Sequence, residues 1–398
     1  FPEQCQTFVR REIDEVVRRG HDVSVFPVAS TPSAARAQAS DACACSSVIY
    51  PSILNSGPLL KAFCRDPKLC GALLVALIRD TWYRPLTLAK SLVAFAKGMS
   101  TVEIVKTGGY DHIHAHWSSY PGTAAWVVSA LTGIPFSVAF HAYDLFSTRI
   151  ALNEKIEAAS TVVLNAQYSI DFFRRLYPKV PDDKVMLLYN GLNRDRFAIV
   201  ARDRPLVQSC PLILGVGRLV YTKGFRTLVE ACHLLDREGR TFRLVLIGKG
   251  PEARGLSQLI DTFGLQASVS MVGELPQQGV SRYISESAGL VMPCIVPRRG
   301  ASHDALPNVI IEAQAAGVPV IGSDVFAIPE TVRHEETGLL VPPGDAAALK
   351  GAIARVVDDA ALAEQIAKRG WEEAQERFNV HENVARLLER FEKAGVVS

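Results

Sequence analysis

Short apolar runs alternate along the chain with stretches whose apolar positions recur every three or four residues. Residues 7–19 show the second pattern and precede Gly20, which predicts a helix, a turn and then a strand over 21–26. Further strands are predicted at 111–114, 136–140, 161–164 and 185–188, with a helical stretch at 122–131. Because strands alternate with helices, we expect a parallel sheet covered on both faces.

The second half of the chain repeats this pattern. Strands are predicted at 212–216, 243–247, 269–272, 289–293 and 319–323, each followed by a helical stretch, and an amphipathic helix is predicted at 380–394. Pro and charged residues cluster at 194–205, the expected linker. The predicted fold is α/β, with two Rossmann-like doubly wound domains, 1–195 and 205–379, facing across a cleft. The stretch 380–398 is expected to pack back on the first domain.

Composition narrows the classes of function. The 43 basic and 41 acidic residues leave a formal charge of +2, which gives no argument for nucleic acid. The eight cysteines lack Cys-x-x-Cys spacing, as expected of reduced thiols in the cytoplasm. The chain does not begin with Met, so further residues are expected upstream, and no signal peptide is visible. The longest apolar run, around 73–78, is too short to span a bilayer, so we expect a soluble or peripheral cytoplasmic protein.

A glycine-rich loop follows the strand predicted at 212–216. Gly217, Arg218 and Lys223 lie between that strand and a helix predicted at 225–236. Small residues allow the backbone to approach an anion, and a helix N-terminus adds N–H donors and partial positive charge. Two cations at the same point favour a diphosphate. The alternative is a tight turn with two solvated cations.

Two carboxylates flank a predicted helix start. Pro307 suits the first turn, so Asp304 lies in the preceding loop and Glu312 is expected two turns into the helix. Asp304 can face a bound sugar, while Glu312 can accept hydrogen bonds from paired hydroxyls. Alternatively, Asp304 caps the helix and Glu312 is solvated, although the apolar neighbours of Glu312 argue against solvation.

Histidines alternate along the predicted strand at 111–114 and just beyond it. His112, His114 and His116 share one face, and His141 follows the next strand, three residues before Asp144. Three imidazoles on one face suggest a metal site, but no carboxylate or Cys stands at ligand spacing in the sequence, so we predict none. Structural roles remain open for His116 and His141, and they are the preferred interpretation for His112 and His114.

Several motifs together resemble one enzyme family. After Asp304–Glu312, residues 313–320 read Ala-Gln-Ala-Ala-Gly-Val-Pro-Val, followed by Ile-Pro-Glu at 328–330, Glu-Thr-Gly-Leu-Leu-Val at 336–341 and Pro-Pro-Gly-Asp at 342–345. This combination resembles the retaining GT-B glycosyltransferases of family four, including bacterial enzymes of polysaccharide and colanic-acid type. The resemblance spans nearly the whole chain.

The resemblance implies a role for each matching residue. Arg218 and Lys223 would hold the donor diphosphate, Asp304 would contact sugar hydroxyls, and Glu312 would bind the nucleotide ribose. Backbone groups would contact the diphosphate or sugar at Leu306, Pro307, Asn308 and Val309. The loops containing Gly248, Gly250 and Val272 would line the nucleoside pocket.

On the acceptor side, the resemblance places His141 near the anomeric centre, positioned by neighbours such as Asp144, and places His116 nearby. Residues 1–8, including Thr7, resemble the loop after the family's first strand, which is expected before Phe1 and is absent from the chain. Asp304 stands where Glu is usual, which we interpret as a changed donor preference. Ala305 replaces a commoner Gly, and Phe326–Ala327 replaces a frequent Gly-Gly.

The expected reaction transfers a hexose from a UDP- or GDP-sugar to a saccharide or lipid-linked acceptor, with retention and without a metal or other cofactor. The apolar helical region 58–100 carries interspersed basic residues, which are Lys61, Arg65, Lys68, Arg79, Arg84, Lys90 and Lys97. These suit either peripheral contact with a membrane surface or an ordinary soluble face. Alternative functions are an epimerase or sugar phosphorylase of the same architecture, or a catalytically degenerate nucleotide-sugar binding protein.

Overall fold

The computed structural model describes residues 7–28, 44–50, 52, 56–146, 149–192, 210–297 and 306–396. The chain forms two compact units. Unit 1 comprises Phe1–Gly191 together with Val380–Ser398, and unit 2 comprises Leu192–Asn379. The linker predicted at 194–205 lies outside the described residues. The α/β class predicted from the alternating pattern is confirmed, with parallel sheets in both units.

Unit 1 contains a four-stranded parallel sheet with the order β3-β4-β5-β6 and a separate parallel pair, β1-β2. Its strands are β1 Ser24–Val25, β2 Ser47–Val48, β3 Ile113–His116, β4 Phe136–Phe140, β5 Thr161–Leu164 and β6 Val185–Leu187. Its helices are α1 Thr7–Arg18, α2 Ser56–Arg65, α3 Pro67–Thr81, α4 Pro85–Thr107, α5 Tyr120–Thr132, α6 Ala142–Phe146, α7 Leu152–Ala158 and α8 Gln167–Leu176. Strands β4 and β5 are buried throughout, because helices cover the sheet.

The last helix of unit 1, α15, comes from the end of the chain and spans Val380–Phe391. It packs against α1, and its Leu387 lies in an apolar cluster with the sheet residues Ala139, Val163 and Met186. Leu387 is 1% exposed. The sheet of unit 1 is therefore covered partly by residues that the chain supplies only after completing unit 2.

Unit 2 contains a six-stranded parallel sheet with the order β12-β11-β10-β7-β8-β9. Its strands are β7 Leu212–Val216, β8 Arg243–Ile247, β9 Val269–Gly273, β10 Gly289–Met292, β11 Val320–Ser323 and β12 Leu339–Val341. Its helices are α9 Phe225–Arg237, α10 Ala253–Thr262, α11 Gln277–Glu286, α12 Asn308–Ala315, α13 Ala346–Asp358 and α14 Ala360–Arg377. The chain builds outward from β7 to β9 and then returns to the other side of β7. The strand order therefore reverses between β7 and β10.

Several predicted boundaries need correction. The strand predicted at 111–114 is Ile113–His116, because its pairing with β4 continues to His116 opposite Ala139. The strand predicted at 289–293 ends at Met292, since Pro293 has no N–H to donate to a neighbouring strand. The strand predicted at 21–26 is reduced to Ser24–Val25. Within the described parts of the chain, every helix is too short or too polar to cross a bilayer.

Candidate functional site

The carboxyl edge of the unit 2 sheet has a crevice where the strand order reverses. In open parallel sheets, ligands bind at such a reversal, just beyond the carboxyl ends of the strands. The loops after β7 and β10 meet there, since the N–H of Ile295 donates to the carbonyl of Thr222 at 3.0 Å. Because α12 connects β10 to the parallel strand β11, the N-terminus of α12 lies at this edge as well.

The loops after β7 and β8 are held together by backbone contacts. The N–H of Gly217 donates to the carbonyl of Ile247 at 2.9 Å, and that of Leu219 donates to Lys249 at 2.8 Å. A Cβ at Gly248 would lie 1.9 Å from the carbonyl oxygen of Gly217, and one at Gly250 would lie 2.2 Å from that of Leu219. The structure therefore brings the three predicted glycines together, and two of them leave no room for a side chain.

The two predicted cations have different environments. Lys223 ends a short 3-10 helix, Tyr221–Lys223, and is only 7% exposed. Its Cε would lie 3.2 Å from a Cβ placed on Gly217, so its side chain returns to the glycine-rich turn. Arg218 is exposed on the same loop. The amino group of the buried lysine is held beside Gly217, whereas the guanidinium of Arg218 is exposed to solvent.

The predicted carboxylate, that of Glu312, lies on the buried helix α12. Pro307 precedes the helix as its N-cap residue, so Glu312 lies just over one turn from the start instead of two. Glu312 is 9% exposed, which excludes the solvated alternative. Leu306, Pro307 and Val309 are buried and Asn308 is partly buried, while Val272 in β9 is also partly buried. Asp304 and Ala305 lie outside the described residues.

Phe326 has a left-handed backbone, with φ 58°. Glycine adopts this conformation without strain, whereas a side chain raises its energy by about 1 kcal/mol or more. This conformation is consistent with the expectation that glycine is common at this position in the family. Ala327 is fully buried. Nothing in the structure explains why a phenylalanine is retained.

In unit 1, the predicted histidines lie at the carboxyl ends of adjacent strands. His116 ends β3 and His141 follows β4, and their rings lie 5.6 Å apart between centroids. Nδ1 of His116 is 3.4 Å from Nε2 of His141. Phe8 and Trp117 pack against both rings. Thr7 begins α1, next to Phe8.

A carboxylate from α1 joins these histidines. Oε1 of Glu12 lies 3.0 Å from Nε2 of His116 and 3.5 Å from Nε2 of His114. Burial would raise the pKa of Glu12, but the neighbouring histidines, His116 foremost, lower it to about 2. Burial lowers the pKa of His114 and of His141 to about 3. At neutral pH the cluster therefore holds an ionised Glu12 beside uncharged imidazoles at His114 and His141.

Asp144 is fully buried and fixes the main chain around this cluster. Its carboxylate accepts hydrogen bonds from the backbone N–H of His141 at 3.2 Å and from that of Ser119 at 3.0 Å. Burial raises its pKa to about 6. Asp144 thus positions the backbone of His141, not its imidazole. Trp117, next to His116, has φ 70°, another strained conformation beside the cluster.

Sequence reasoning missed two charged residues in unit 1. Glu12 is more than a hundred positions from His114, and only the packing of α1 brings the two together. Lys155 is fully buried and donates to the carbonyls of Ser118 and Ser119 and to the hydroxyl of Thr123. Burial lowers the pKa of Lys155 to about 7. Charged residues that meet only because separate elements pack together show no characteristic spacing in the sequence.

Two family models match the chain, one in each half. Residues 5–196 match Glycosyltransferase Family 4, and residues 201–373 match Glycosyl transferases group 1. The boundary between the two matches falls within a few residues of the boundary between unit 1 and unit 2.

Curated relatives resemble part of the chain. An amylovoran biosynthesis glycosyltransferase of Erwinia amylovora is 31% identical over 216 residues, covering 53% of this chain and 52% of the relative. A GDP-mannose-dependent alpha-(1-6)-phosphatidylinositol monomannoside mannosyltransferase of Mycobacterium tuberculosis is 32% identical over 197 residues, covering 48% and 51%. The chain thus spans about half the length of the curated relatives that it matches.

Solved structures match the whole fold. A glycosyltransferase from Rickettsia africae superimposes with a TM-score of 0.74 at 19% identity, covering 98% of this chain and 95% of the other. HepE of Anabaena, in complex with UDP and glucose, gives 0.70 at 18% identity, covering 99% and 97%. At this level of identity the likeness establishes the architecture of two parallel-sheet domains.

Proposed function

Since this chain belongs to the GT-B glycosyltransferases, with a family 4 domain followed by a group 1 domain, we propose that it transfers a hexose from a UDP- or GDP-sugar to an acceptor hydroxyl. The product belongs to polysaccharide or glycoconjugate synthesis, in keeping with the amylovoran biosynthesis relative. Unit 2 binds the sugar nucleotide, and the acceptor-side residues are those of unit 1.

One observation carries the proposal. Buried Lys223 returns to Gly217 in a loop whose backbone is joined to the neighbouring loop, at the point where the strand order of the sheet reverses. Joined loops hold their backbone groups in place before a ligand arrives, so little reorganisation is needed when negative charge develops. A diphosphate leaving group is the anion that such a site stabilises. Exposed Arg218 adds a second positive charge from the same loop.

Glu312 supports a nucleotide at this crevice. Its carboxylate is buried on α12, whose N-terminus lies at the same edge of the sheet. Acidic residues bind ribose hydroxyls in other Rossmann-like sites, because a carboxylate accepts hydrogen bonds from both hydroxyls. In this proposal Asp304 contacts the transferred sugar, and Gly248, Gly250 and Val272 line the nucleoside pocket.

The transfer proceeds with retention and without a metal. The bond between the anomeric carbon and the diphosphate breaks as the acceptor oxygen bonds to the same face, and the departing phosphate oxygen takes the proton of the acceptor hydroxyl. Lys223 and the N-terminus of α12 stabilise the leaving diphosphate, so the step needs positioning and charge stabilisation but no covalent nucleophile. His141 serves the catalytic step in this scheme, and Asp144 fixes its backbone. His116 and Thr7 lie on the acceptor side.

The donor site is tested by calorimetric titration of the chain with UDP, GDP and ADP. We expect Lys223→Ala and Glu312→Ala each to weaken binding of the preferred nucleotide by about tenfold or more, since each removes a charged hydrogen-bonding group. Lys368→Ala and Glu364→Ala, which change exposed residues on α14, serve as charge-matched controls. Unchanged affinity in both site variants would remove the donor-site assignment.

The reaction is tested with the sugar nucleotide of the preferred base and a panel of saccharide acceptors. Proton NMR of the product gives the anomeric configuration, and inversion would contradict the retaining mechanism. Product formed without an acceptor would indicate an epimerase, and dependence on free phosphate would indicate a phosphorylase. Nucleotide binding with no turnover of any donor would identify a binding protein.

A lipid surface is the proposed environment of the acceptor. Around the junction of α3 and α4, Val75, Trp82, Tyr83 and Leu86 are 58–69% exposed. Exposed cations on the same helices are Lys68, Arg79, Arg84 and Lys90. Aromatic and aliphatic side chains interspersed with cations suit the interface of an anionic bilayer. Lys97 is not part of this face, because it is buried and donates to the carbonyl of Val28.

We expect the chain to co-sediment with vesicles that contain anionic phosphatidylglycerol and to remain free with neutral phosphatidylcholine alone. The double variant Trp82→Ser with Tyr83→Ser should bind anionic vesicles several-fold more weakly, because it removes the exposed aromatic area. Leu234→Ser changes an exposed apolar residue in unit 2 and serves as the control. Equal binding of the chain to both vesicle types would contradict the proposed lipid contact. So would equal binding of the double variant and the control to anionic vesicles.

A further inference from the structure

Three side chains in unit 1 converge in the pattern of a metal site. We propose that Glu12, His114 and His116 bind one divalent transition-metal ion, with Zn²⁺ as the best match, through Oε1 and the two Nε2 atoms. The ligands come from α1 and from alternate positions of β3, which present their side chains on the same face. This inference does not depend on the proposed glycosyl transfer.

The separations of the ligand atoms fit a metal ion. All three atoms lie within 4.8 Å of one another, and Oε1 of Glu12 is 3.0 Å from His116 and 3.5 Å from His114. Zinc binds oxygen and nitrogen at about 2.0–2.2 Å, so two ligands of a tetrahedral ion lie about 3.3 Å apart. Small side-chain adjustments would therefore close the shell around an ion.

Each histidine is oriented through its other ring nitrogen. Nδ1 of His114 lies 2.7 Å from Oγ of Ser137, and Nδ1 of His116 lies 3.4 Å from Nε2 of His141. Without an ion, Nε2 of His116 lies at hydrogen-bonding distance, 3.0 Å, from Oε1 of Glu12. In the metal-bound form each Nδ1 would carry the proton and donate it to its partner, and both Nε2 atoms would direct a lone pair at the ion. Zinc-bound histidines have the same arrangement, in which the outer N–H is held by a second group.

The buried Nε2 of His114 gives independent support. This atom is inaccessible to solvent and makes no hydrogen bond within the described residues. Buried polar atoms of folded proteins nearly always make a hydrogen bond, so a nitrogen that lies 3.5 Å from a carboxylate oxygen without one needs an explanation. With its lone pair towards Glu12, this nitrogen and the carboxylate repel each other unless a cation lies between them. A metal ion satisfies both atoms.

The donor set selects the class of metal. Two imidazoles and one carboxylate suit zinc and neighbouring transition metals, whereas Mg²⁺ and Ca²⁺ prefer oxygen alone. Aromatic rings enclose the cluster, with Phe391 stacked 3.9 Å from His112 and Phe8 lying 6.3 Å from His116. Three protein ligands leave a fourth position open to water or another ligand.

The test uses the untagged full chain, freed of metal with a chelator and then titrated with Zn²⁺ by calorimetry and with Co²⁺ by visible absorption. We expect one equivalent to bind, with the intense d–d absorption of four-coordinate Co²⁺ and a raised melting temperature in Zn²⁺. Glu12→Gln and His114→Gln should each weaken binding by at least about 100-fold, and Ser137→Ala by about 10- to 100-fold.

His21→Gln, which removes an exposed imidazole outside the cluster, should bind like the parent chain. Circular dichroism of each metal-free variant shows whether it has folded, so that lost binding can be separated from lost structure. The proposal is overturned if the parent chain shows no saturable binding. It is also overturned if folded Glu12→Gln and His114→Gln both retain the parent's affinity.

Discussion

At Gly248 one loop passes so close to another that a side chain has no space. The residue has φ +145°, and a Cβ would lie 1.9 Å from the carbonyl oxygen of Gly217. Gly264 also has a positive φ, +69°, but nothing lies within 4 Å of its Cβ position. Both positions favour glycine for their backbone conformation, but only Gly248 also lies against a neighbouring backbone.

We expect Gly248→Ala to lower the free energy of unfolding by about 2 kcal/mol more than Gly264→Ala. Both variants bear the strain of a positive φ, which costs about 1 kcal/mol at +69° and more at +145°, and only Gly248→Ala also forces two backbones apart. Urea denaturation of the two variants measures the difference. Equal losses would mean that the loops after β7 and β8 are not held as closely as described.

Individual site residues were predictable from sequence only as far as their motifs extended. Lys223 and Glu312 lie in motifs that indicate a phosphate loop and a carboxylate on a helix, and the structure shows that both are buried. The sequence did not show that Arg218 is exposed while Lys223 is not, because burial depends on the neighbouring loops. It also gave no sign of Glu12, which reaches His114 and His116 from another element.

At the scale of elements, Glu15 connects α1 with α15. Its carboxylate accepts hydrogen bonds from Arg18 at 2.6 Å and Arg19 at 2.8 Å, and it lies 2.6 Å from Nδ1 of His381. Burial of the carboxylate would raise its pKa, but these three side chains outweigh burial and lower the pKa of Glu15 from 4.5 to about 2. The folded state therefore favours the ionised carboxylate.

Because the pKa is lowered on folding, Glu15 stabilises the protein above pH 4.5, and this contribution is lost as the pH falls towards 2. We expect Glu15→Gln to lower the melting temperature by about a few degrees at pH 7. The difference in melting temperature between the variant and the parent should narrow steadily below pH 4.5. Thermal melts of both proteins between pH 7 and pH 3 measure it, and a gap independent of pH would contradict this assignment.

Strands that are buried on both faces were the easiest elements to predict. Strands β4, β5, β7 and β8 have the predicted bounds, because continuous apolar runs mark strands buried on both faces. The start of β3 was predicted two residues too early, since its alternating histidines give no apolar run to mark the boundary. Pairing with β4 sets that boundary, and pairing is a tertiary property that local pattern does not contain.

At the scale of the whole molecule, the repeated strand and helix pattern was enough to predict two parallel-sheet units. The strand order was not predictable, because apolar pattern alone does not tell which buried strands are neighbours. The reversal between β7 and β10 depends on that order. The return of residues 380–398 to unit 1 was expected, but the sheet residues that Leu387 contacts depend on tertiary packing.

A variant that ends at Asn379 tests whether unit 1 depends on α15. It lacks α15, so the apolar cluster around Ala139, Val163 and Met186 loses its cover. We expect limited proteolysis to cleave unit 1 much faster than in the parent, while unit 2 remains protected, since all of unit 2 is still present. A control ending at Phe391 keeps the helix and should resist like the parent. Equal resistance of both truncated chains would contradict the prediction.

The return of α15 has a consequence for biosynthesis. Ribosomes release a chain from its N-terminus, and domains commonly fold in that order. Unit 2 is complete once Asn379 has emerged, whereas unit 1 must wait for a helix that is made after all of unit 2. The half that is made first is thus finished last. During that interval the apolar sheet residues that Leu387 later covers stay exposed.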